Sequence, residues 1–587
     1  MERLLTSAPL IDRYATSCVV GFPTPGSPEE QTAFADLQRG LAPMFARVFP
    51  NPSAARTVVV IPSMSLDREE LTKLTGASRY EERFLCLLML LRLPATRVVY
   101  LTSEPVAPAI IDYYLGLMPD VNVRDARARL TMLDCGDDSA TPLTEKILAR
   151  PALMARIRSL VDDPAAAHLT CFTATALERT LAVRLGLPLY GCDPALGYLG
   201  TKSGSRDVFR RAGVLMPPGF EHLGGEEDMI RVLVQLKREN PWVRRAVIKL
   251  EEGFSGDGNA IFSYAGAPSG AALASWVRSK LPRRVRCVAT GERWETYVQG
   301  FARMGGIVEA FVDGTEVRSP SAQCRIDPLG AIQIISTHDQ VLGGSTGQVY
   351  LGCTFPAEAS CSVGLHDAAR RVAAVLAGDG VVARFGIDFV STRCGDGWRH
   401  YAIEINLRKG GTTHPYLTLQ LLTDGSYDPA TGLFHSDTGE PRFYVASDNL
   451  CDPAYAALTP EALIAATRRA GLQFEHTTQT GVVFHLMGAL AEFGKVGAVC
   501  IAPTREGART LFDATVALLG RESARAIADG KREVPISPTI PARDDRPAAF
   551  ERSPRNGGTR RAPARRQGPR APALRAAPTD ATPTGAV

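Results

Sequence analysis

Three side chains with oxygen donors are brought together by a predicted hairpin in the second half of the sequence. Asp388 lies in the apolar run RFGIDFV, and Glu404 and Asn406 lie in YAIEINL, which begins a few residues after a GDGW turn. The turn predicts that the two runs are antiparallel strands. Glu404 and Asn406 are two residues apart, share one face, and pair close to Asp388. Two carboxylates and an amide oxygen suit Mg²⁺, and their apolar flanks argue against a merely solvated face.

A magnesium site usually serves phosphate groups, and two segments offer groups that bind phosphate. Lys249 ends an apolar strand in AVIKLEEGFSGDGNAIF, and a loop with three glycines follows it. Glycines let backbone N–H groups approach phosphate oxygens, and the lysine adds a positive charge. Lys202 begins the helix-like segment TKSGSRDVFRRAG, which contains no Walker A loop. Each segment alone is a weak signal, because such loops are mostly turns and a lysine at a helix start is usually solvated.

A third segment, GGIVEAFVDGTEVRS, has the pattern of a strand, a turn and a second strand. Glu309 and Glu316 lie seven residues apart and flank the turn at Asp313–Gly314. The edge of such a strand can offer a carbonyl and an amide to a nucleobase, and an acid beyond the turn can accept ribose hydroxyls. By itself, this segment is also compatible with an ordinary hairpin.

The elements that position these residues form several units. Residues 1–50 are an N-terminal extension with a helical pattern over Glu29–Val48. Residues 51–195 alternate between short strands that are apolar on both faces (57–63, 97–103, 129–135 and 168–174) and helical stretches, including Glu81–Leu93 and Pro142–Val161. This alternation predicts a Rossmann-like layer with a parallel sheet.

The remainder of the chain divides into three parts. Residues 196–450 have more glycine and longer loops, and they contain the acids and lysines described above. Residues 455–522 have the pattern of a small α+β unit, with a helix that begins at Thr459–Pro460. Residues 540–587 are rich in Arg, Pro and Ala, a composition that predicts a disordered tail. The fold class is therefore mixed α/β and α+β in several domains.

Composition excludes several classes of protein. The segment 541–587 has ten arginines and four acidic residues, which leaves the rest of the chain at −2, so no specific nucleic-acid partner is expected. No apolar run approaches the roughly 20 residues of a membrane helix, and no signal core stands at the N-terminus. Twelve scattered cysteines without a C-x-x-C pair predict buried thiols. We therefore expect a cytoplasmic protein without membrane attachment.

Taken in order, these parts resemble the ATP-grasp carboxylate–amine ligases, over roughly residues 190–415. Longer stretches are similar to the pheganomycin-type peptide ligases, over about residues 50–520. These stretches are GCDPALGYLGTKSGSRDVFRRAGV, STHDQVLGGSTGQVYLGCTFP and EINLRKGGTTHP. The resemblance implies a pre-ATP-grasp domain, an ATP-grasp core of two α+β subdomains and a small C-terminal domain. It also implies that an amide bond is formed in the assembly of a peptide natural product.

The resemblance assigns a role to each candidate residue. ATP and one or two Mg²⁺ are the implied cofactors, with Asp388, Glu404 and Asn406 as metal ligands. The implied contacts to ATP come from two lysines, the glycine loop, the adenine hinge and the ribose acid: Lys202, Lys249, Gly253, Ser255, Gly256, Gly258, Glu309, Phe311, Val312 and Glu316. Lys249 is also assigned to catalysis. Gly386 stands where the D-alanine–D-alanine ligases have a phosphate-holding arginine, so Arg384 or Arg408 is the candidate substitute, and Arg408 is the candidate oxyanion stabiliser.

Several questions stay open at the level of the sequence. His338 and His414 are candidates for the general base, although most histidines are structural. The carboxylate donor, the acceptor amino acid or peptide and the oligomeric state, including a homo-oligomer, are not identified. The alternative to a ligase is a non-catalytic ATP-binding module for regulation or scaffolding, against which the complete set of acids and lysines argues.

Overall fold

A computed structural model describes residues 21–530, except residues 67, 119, 254–257, 290 and 344–348. Residues 1–20 and the predicted tail, residues 540–587, therefore lie outside the described residues. Within the described part, no helix has the length and apolar character that crossing a membrane requires. Most of the described cysteines are buried, and all of them are free thiols, as the sequence predicts.

The N-terminal unit is built on a four-stranded parallel sheet. Its strands are β1 (Arg56–Ile61), β2 (Thr96–Thr102), β3 (Leu130–Asp134) and β4 (Ala167–Cys171), in the order β3-β2-β1-β4. All four predicted strands and their parallel arrangement are confirmed. The α-helices of this unit are α1 (Pro28–Arg39), α2 (Leu41–Val48), α3 (Arg68–Lys73), α4 (Pro108–Leu115), α5 (Val123–Ala128), α6 (Leu143–Leu148), α7 (Pro151–Ser159) and α8 (Ala176–Leu185).

Three predicted helices of this unit differ from the structure in detail. The helix predicted at Glu81–Leu93 is a 3₁₀ helix that spans Ala77–Arg92. The helix predicted at Pro142–Val161 is divided into α6 and α7, because the residue before Pro151 is sterically disfavoured from helical geometry. The pattern over Glu29–Val48 is likewise two helices, which meet at Gly40.

The second unit is a five-stranded antiparallel sheet in the order β5-β9-β6-β7-β8. Its strands are β5 (Gly219–Leu223), β6 (Arg245–Leu250), β7 (Asn259–Ser263), β8 (Val285–Cys287) and β9 (Gly306–Ala310). The helices in this part of the chain are α9 (Lys202–Arg211), α10 (Glu226–Glu239), α11 (Ala272–Arg284) and α12 (Trp294–Met304). Apolar side chains of β6, β7 and the last three helices form one buried cluster, which leaves the other face of the sheet free to line a site.

The third unit is a nine-stranded sheet. Its strands are β10 (Val317–Arg318), β11 (Pro320–Ile326), β12 (Ile332–Gly343), β13 (Val349–Phe355), β14 (Ala383–Cys394), β15 (Gly397–Asn406), β18 (Phe443–Cys451), β19 (Gly481–His485) and β20 (Lys495–Ala502). Their order is β10-β14-β11-β12-β13-β18-β20-β19, and β15 pairs with β14. The predicted hairpin is confirmed: Cys394 pairs with Gly397, and Gly395 adopts the left-handed backbone that this two-residue turn requires.

Helices cover this sheet, and a small hairpin lies beside it. The helices are α13 (Ala359–Gly378), α14 (Thr413–Thr423), α15 (Pro460–Arg469), α16 (Leu490–Phe493) and α17 (Arg505–Ala528), and the hairpin is β16 (Ser426–Asp428) with β17 (Leu433–His435). Short 3₁₀ helices occur at Pro164–Ala166, Pro194–Gly200, Pro453–Ala457 and Met487–Ala489. Helix α15 begins as predicted, because Thr459 caps its first turn and Pro460 occupies the first helical position.

The C-terminal strands share their sheet with the central part of the chain. β18 pairs with β13 on one side and with β20 on the other, so residues 443–502 extend the sheet that contains β14 and β15. The boundary predicted near residues 450–455 therefore falls at the end of a strand within a continuous sheet. One large buried cluster joins side chains of β1 and β2 to those of β13, β18 and β20, which packs the N-terminal unit against this region.

Candidate active site

A cavity lies between the five-stranded and nine-stranded sheets. Its volume is about 620 Å³, which is in the range of small-molecule sites. One wall comes from β6, β7 and β9, and the facing wall comes from β11, β12, β14 and β15. Phe172, which follows β4, and two residues of the 3₁₀ helix Ala77–Arg92 contribute from the N-terminal unit. All three units thus meet at this cavity.

The three predicted metal ligands lie together on the β14–β15 wall. Asp388 pairs with Glu404 in the register of the hairpin. Asn406 Nδ2 donates to Asp388 Oδ2 at 2.9 Å, and Gln340 Nε2 donates to Asp388 Oδ1 at 2.7 Å. Asn406 thus directs its amide nitrogen to Asp388, and its oxygen is left for another partner. The expected grouping of two carboxylates and one amide is therefore present.

The electrostatics of this group fit a divalent cation. Burial and, second to it, the nearby charge of Glu404 together raise the pKa of Asp388 to about 7. Burial alone would also raise the pKa of Glu404, but the ammonium of Lys202 holds it below its usual value. A cation at this position would offset both the burial and the mutual repulsion of the carboxylates. The donor set consists of oxygen atoms, as Mg²⁺ requires.

Both predicted phosphate lysines line the cavity. Lys202, the first residue of α9, is 5% exposed, and its Nζ lies 2.7 Å from Glu404 Oε1. Lys249, near the end of β6, is also 5% exposed, and its Nζ lies 2.5 Å from Glu309 Oε1. Lys202 is thus a buried ion-pair partner rather than a solvated residue. The Lys202 ammonium pairs with a carboxylate of β15, and the Lys249 ammonium pairs with a carboxylate of the neighbouring strand β9 in its own sheet.

The predicted adenine hinge occupies the end of the cavity where β9 leaves the sheet. Phe311 and Val312 both line the wall there. The guanidinium of Arg245 lies 3.7 Å from the centroid of the Phe311 ring and pairs with Asp313, so that the two flat groups stack. Glu309 is 2% exposed, and in addition to Lys249 it contacts Arg206. The carboxylate of Glu309 therefore holds the strand and the lysine in place.

Among the predicted loop residues, Gly253 and Gly258 line the cavity, whereas Ser255 and Gly256 lie outside the described residues. Glu316, the expected ribose acid, does not belong to the cavity wall. Its carboxylate binds Arg318 instead, with a distance of 3.1 Å between Oε1 and Nη2. Glu316 lies directly before β10, which pairs with β14, and its role as the ribose acid stays a prediction.

Two further candidates are also placed away from the cavity. Arg384 shares a face of β14 with Asp388, but four residues of strand separate them by about 13 Å, and Arg384 lines a different cavity. His338 is fully buried on β12 and contacts the Tyr444 hydroxyl at 2.6 Å. Neither residue lines the main cavity, so Arg384 as the substitute for the missing arginine and His338 as a base stay predictions that this placement does not support.

Arg408 is the candidate arginine that does line the cavity. It follows β15 directly, and its charge acts on both Asp388 and Glu404. The guanidinium also lies 5.8 Å from the centroid of the Phe172 ring, which supports it from the N-terminal unit. Burial lowers the pKa of Arg408, but an arginine remains charged across the physiological range.

A buried cluster of Asp448, His414 and His485 lies at the far end of the cavity. The Nε2 atoms of His414 and His485 are 3.1 and 2.8 Å from Asp448 Oδ1, and Arg83 approaches the other carboxylate oxygen at 3.5 Å. Burial lowers the pKa of His414 to about 4, so this imidazole is neutral. Asp448 and Arg83 line the cavity themselves, whereas His414 lies behind Asp448.

The sequence provides little signal for this far end. Asp448, Arg83 and Phe172 lie in three separate segments, and each is an ordinary residue in its local pattern. Their proximity follows from the packing of β18 and the 3₁₀ helix around β15, which spacing along the chain does not report. Gln340, which holds Asp388, was missed for the same reason.

Two β-layers that enclose a cavity lined by lysines on one side and by a carboxylate hairpin on the other define an ATP-grasp protein. The family model described as "IQCH-like, ATP-grasp" matches residues 195–269 and 271–428. A second model, described as "PGM1 C-terminal domain", matches residues 462–515. The ATP-grasp fold implies binding of ATP with Mg²⁺.

The chain belongs to the family of ATP-grasp ligases. It is 34% identical over 450 residues to the L-propargylglycine–L-glutamate ligase of Streptantibioticus cattleyicolor, a match that covers 75% of this chain and 89% of that protein. It is 23% identical over 523 residues to IQ motif-containing protein H of Danio rerio, which covers 80% of this chain and 49% of that protein.

Among solved structures, the chain is similar to the biotin carboxylase domain of the Hydrogenobacter thermophilus 2-oxoglutarate carboxylase, in complex with MgADP, ADP and bicarbonate. Its sequence identity is 14% and its TM-score is 0.49, and the match covers 85% of this chain and 99% of that chain.

Proposed function

We propose that this protein is an ATP-dependent carboxylate–amine ligase that forms an amide bond and releases ADP and phosphate. The observation that carries the proposal is the Lys202–Glu404 pair beside Asp388 and Asn406, at one cavity with Lys249. These groups combine positive charge for a polyphosphate with oxygen ligands for its cation. The proposal extends to residues 51–195, 196–450 and 455–522 as the three structural units of the enzyme.

Each group has a distinct task in binding ATP. The backbone at Phe311 and Val312 would hold the adenine under the stacked Arg245. Lys202 and Lys249 would bind the phosphates, and Gly253 and Gly258 provide close backbone approach. Asp388, Glu404 and Asn406 would hold Mg²⁺, which neutralises developing charge on the phosphates when it is bound.

The chemistry then proceeds in two steps. A carboxylate oxygen of the donor attacks the γ-phosphorus of ATP, the bond to the β-phosphate oxygen breaks, and an acyl phosphate and ADP result. The amine of the acceptor attacks the acyl carbon, the C–O bond to phosphate breaks, and the amine loses a proton. Arg408 would stabilise the negative charge that develops on the acyl oxygen. Phe172, whose ring lies beside Arg408, would help to exclude water, which would otherwise hydrolyse the acyl phosphate.

We infer that both substrates are amino acids or short peptides. Arg83 and Asp448 offer opposite charges at the end of the cavity beyond Arg408, and an amino acid carries matching charges on its carboxylate and ammonium groups. The name of the Streptantibioticus relative, which joins two amino acids, supports this class of substrate. Assembly of a peptide natural product is the role that we propose for the reaction.

The decisive experiment is the release of ADP and phosphate on mixing the protein with ATP, Mg²⁺ and pools of amino acids, with mass spectrometry of the products. We expect release that depends on particular pools and a product mass equal to the two substrates less one water. The Glu404→Gln variant is the matched control. Release that stays flat across every pool would favour the non-catalytic ATP-binding alternative.

A further inference from the structure

A second, smaller cavity lies behind the active site, between the N-terminal unit and helix α14. Its volume is about 90 Å³. Its walls are largely apolar, and they come from β1, the 3₁₀ helix Ala77–Arg92 and α14, represented by Val58, Leu87, Leu417 and Leu421. Charged side chains also line it, and these are the unusual feature of the cavity.

Arg384 is a buried charge with no counter-ion among the residues that the structure describes. It is 7% exposed, and neither of its terminal guanidinium nitrogens, Nη1 and Nη2, has a hydrogen-bond partner among the described residues. Its direct neighbour across the β11–β14 pair is Arg325, another buried cation. Burial, reinforced by the charge of Arg325, lowers the pKa of Arg384 to about 10, so the group stays charged at neutral pH. A buried charge without a partner is strongly unfavourable in a folded protein.

Two further cations, Arg56 and Lys409, line the cavity and add positive charge. Arg56 donates to the carbonyl oxygens of Val48 and Asn51, and the Lys409 ammonium donates to Thr170 Oγ1 and to a carbonyl. These contacts satisfy hydrogen bonds but bring no negative charge.

Few acidic side chains line this cavity. The one carboxylate among the described residues that line the cavity is that of Asp424, and it pairs with Arg92 at the rim. His168, which is 3% exposed, has an Nδ1 atom without a hydrogen-bond partner in the described part of the chain.

We propose that this cavity binds a small carboxylate with a short aliphatic chain, whose carboxyl group pairs with Arg384 and whose chain packs on the leucines. An anion would supply the missing counter-charge, and the two Nη atoms of an arginine match the two oxygens of a carboxylate. The apolar walls favour a hydrocarbon chain over a second charged group, and the volume limits its length. This site is separate from the main cavity and does not depend on the ligase function.

Pentanoate is a suitable probe, with pentylamine and pentanol as the cationic and neutral analogues of similar length. Calorimetric titration of the full chain should show pentanoate binding and no comparable binding of the two analogues. Arg384→Met should weaken pentanoate binding by roughly tenfold or more, since the charge pair is lost. Arg408→Met is the matched control, because it removes an arginine from the main cavity, and it should leave this binding unchanged.

Several results would overturn the proposal. They are the absence of pentanoate binding to the unsubstituted protein, equal binding by Arg384→Met, binding of pentylamine as strong as that of pentanoate, and loss of binding in Arg408→Met. If Arg384→Met does not fold, Arg384→Lys keeps the positive charge on a group that cannot pair with both oxygens. This variant should bind pentanoate more weakly than the unsubstituted protein, and unchanged affinity would contradict the assignment.

Discussion

Replacing Glu404 by glutamine separates the chemical role of this residue from its structural role. The substitution keeps the size of the side chain and removes one negative charge from the proposed metal site. We expect the rate of ADP release in the presence of substrates to fall about a thousandfold, which corresponds to about 4 kcal/mol of barrier. The physical reason is that one of two carboxylates can no longer hold the cation that neutralises the phosphates.

The effect on stability follows from two opposing contributions. Removing one partner of a buried ion pair costs roughly 3–5 kcal/mol. The Glu404 side chain is 22% exposed and that of Lys202 is 6% exposed, so the cost lies toward or below the lower end of that range. In the other direction, the loss of the Glu404 charge removes its repulsion of the Asp388 carboxylate. The pKa of Asp388 is raised to about 7 by burial and by Glu404 together. We therefore expect a net loss of about 1–3 kcal/mol in the free energy of unfolding.

A double-mutant cycle provides the measurement. Unfolding by denaturant is followed for Lys202→Met, Glu404→Gln and the double variant, together with ADP release for each. The double variant leaves no unpaired charge, so it should be more stable than the sum of the single losses indicates, with a coupling of roughly 1–3 kcal/mol. Strictly additive losses would contradict the ion pair. Rates within a few fold of the unsubstituted protein would falsify the placement of Glu404 at the metal.

Three further predictions test other parts of the structure. Lys249→Ala should weaken ATP binding in a calorimetric titration, because its buried ammonium at the main cavity is lost, and unchanged affinity would exclude it from the phosphate site. Arg408→Met should slow ligation by roughly a hundredfold while Arg384→Met changes the rate by less than a few fold; equal losses would contradict the separation of the two cavities. Burial raises the pKa of Glu82 to about 7 from its usual 4.5, so between these pH values the native state holds a proton that the unfolded state has lost. The stabilisation from this group is therefore complete below about pH 4.5 and is lost as the pH rises through 7. Between about pH 5 and 7, the free energy of unfolding of Glu82→Gln should fall by roughly 2–3 kcal/mol less than that of the unsubstituted protein, as measured by denaturant unfolding. An equal fall in both proteins would refute the pKa shift.

The parts of the fold that local pattern determines were predictable. The four parallel strands are apolar on both faces, and the GDGW turn predicts the β14–β15 hairpin, so Asp388 could be expected close to Glu404 and Asn406. The exact register could not be predicted, because a shift between Asp388 and Phe389 moves Glu404 into the position opposite Asp388. Lys202 and Lys249 were found because the family resemblance joined two segments that are individually uninformative.

The parts that depend on distance across the fold were not predictable from the sequence. Arg384 and Asp388 share a strand face, and only the length of strand between them and the packing of α14 direct Arg384 into another cavity. Asp448 reaches the active site because β18 lies next to β13, a pairing between segments about 90 residues apart. No local pattern encodes which side chains two such segments bring together.

The continuity of the nine-stranded sheet limits how the protein can be divided or recombined. A chain cut just before Phe443 would lose three strands, and the backbone of β13 along Cys353–Phe355 would become an exposed edge that is prone to aggregation. The segment matched as a C-terminal domain, residues 462–515, contains β19 and β20 but not β18, so on its own it would lack the strand that anchors it. Substrate preference in this family is therefore better altered by side-chain replacement around the cavity than by exchange of C-terminal modules between relatives.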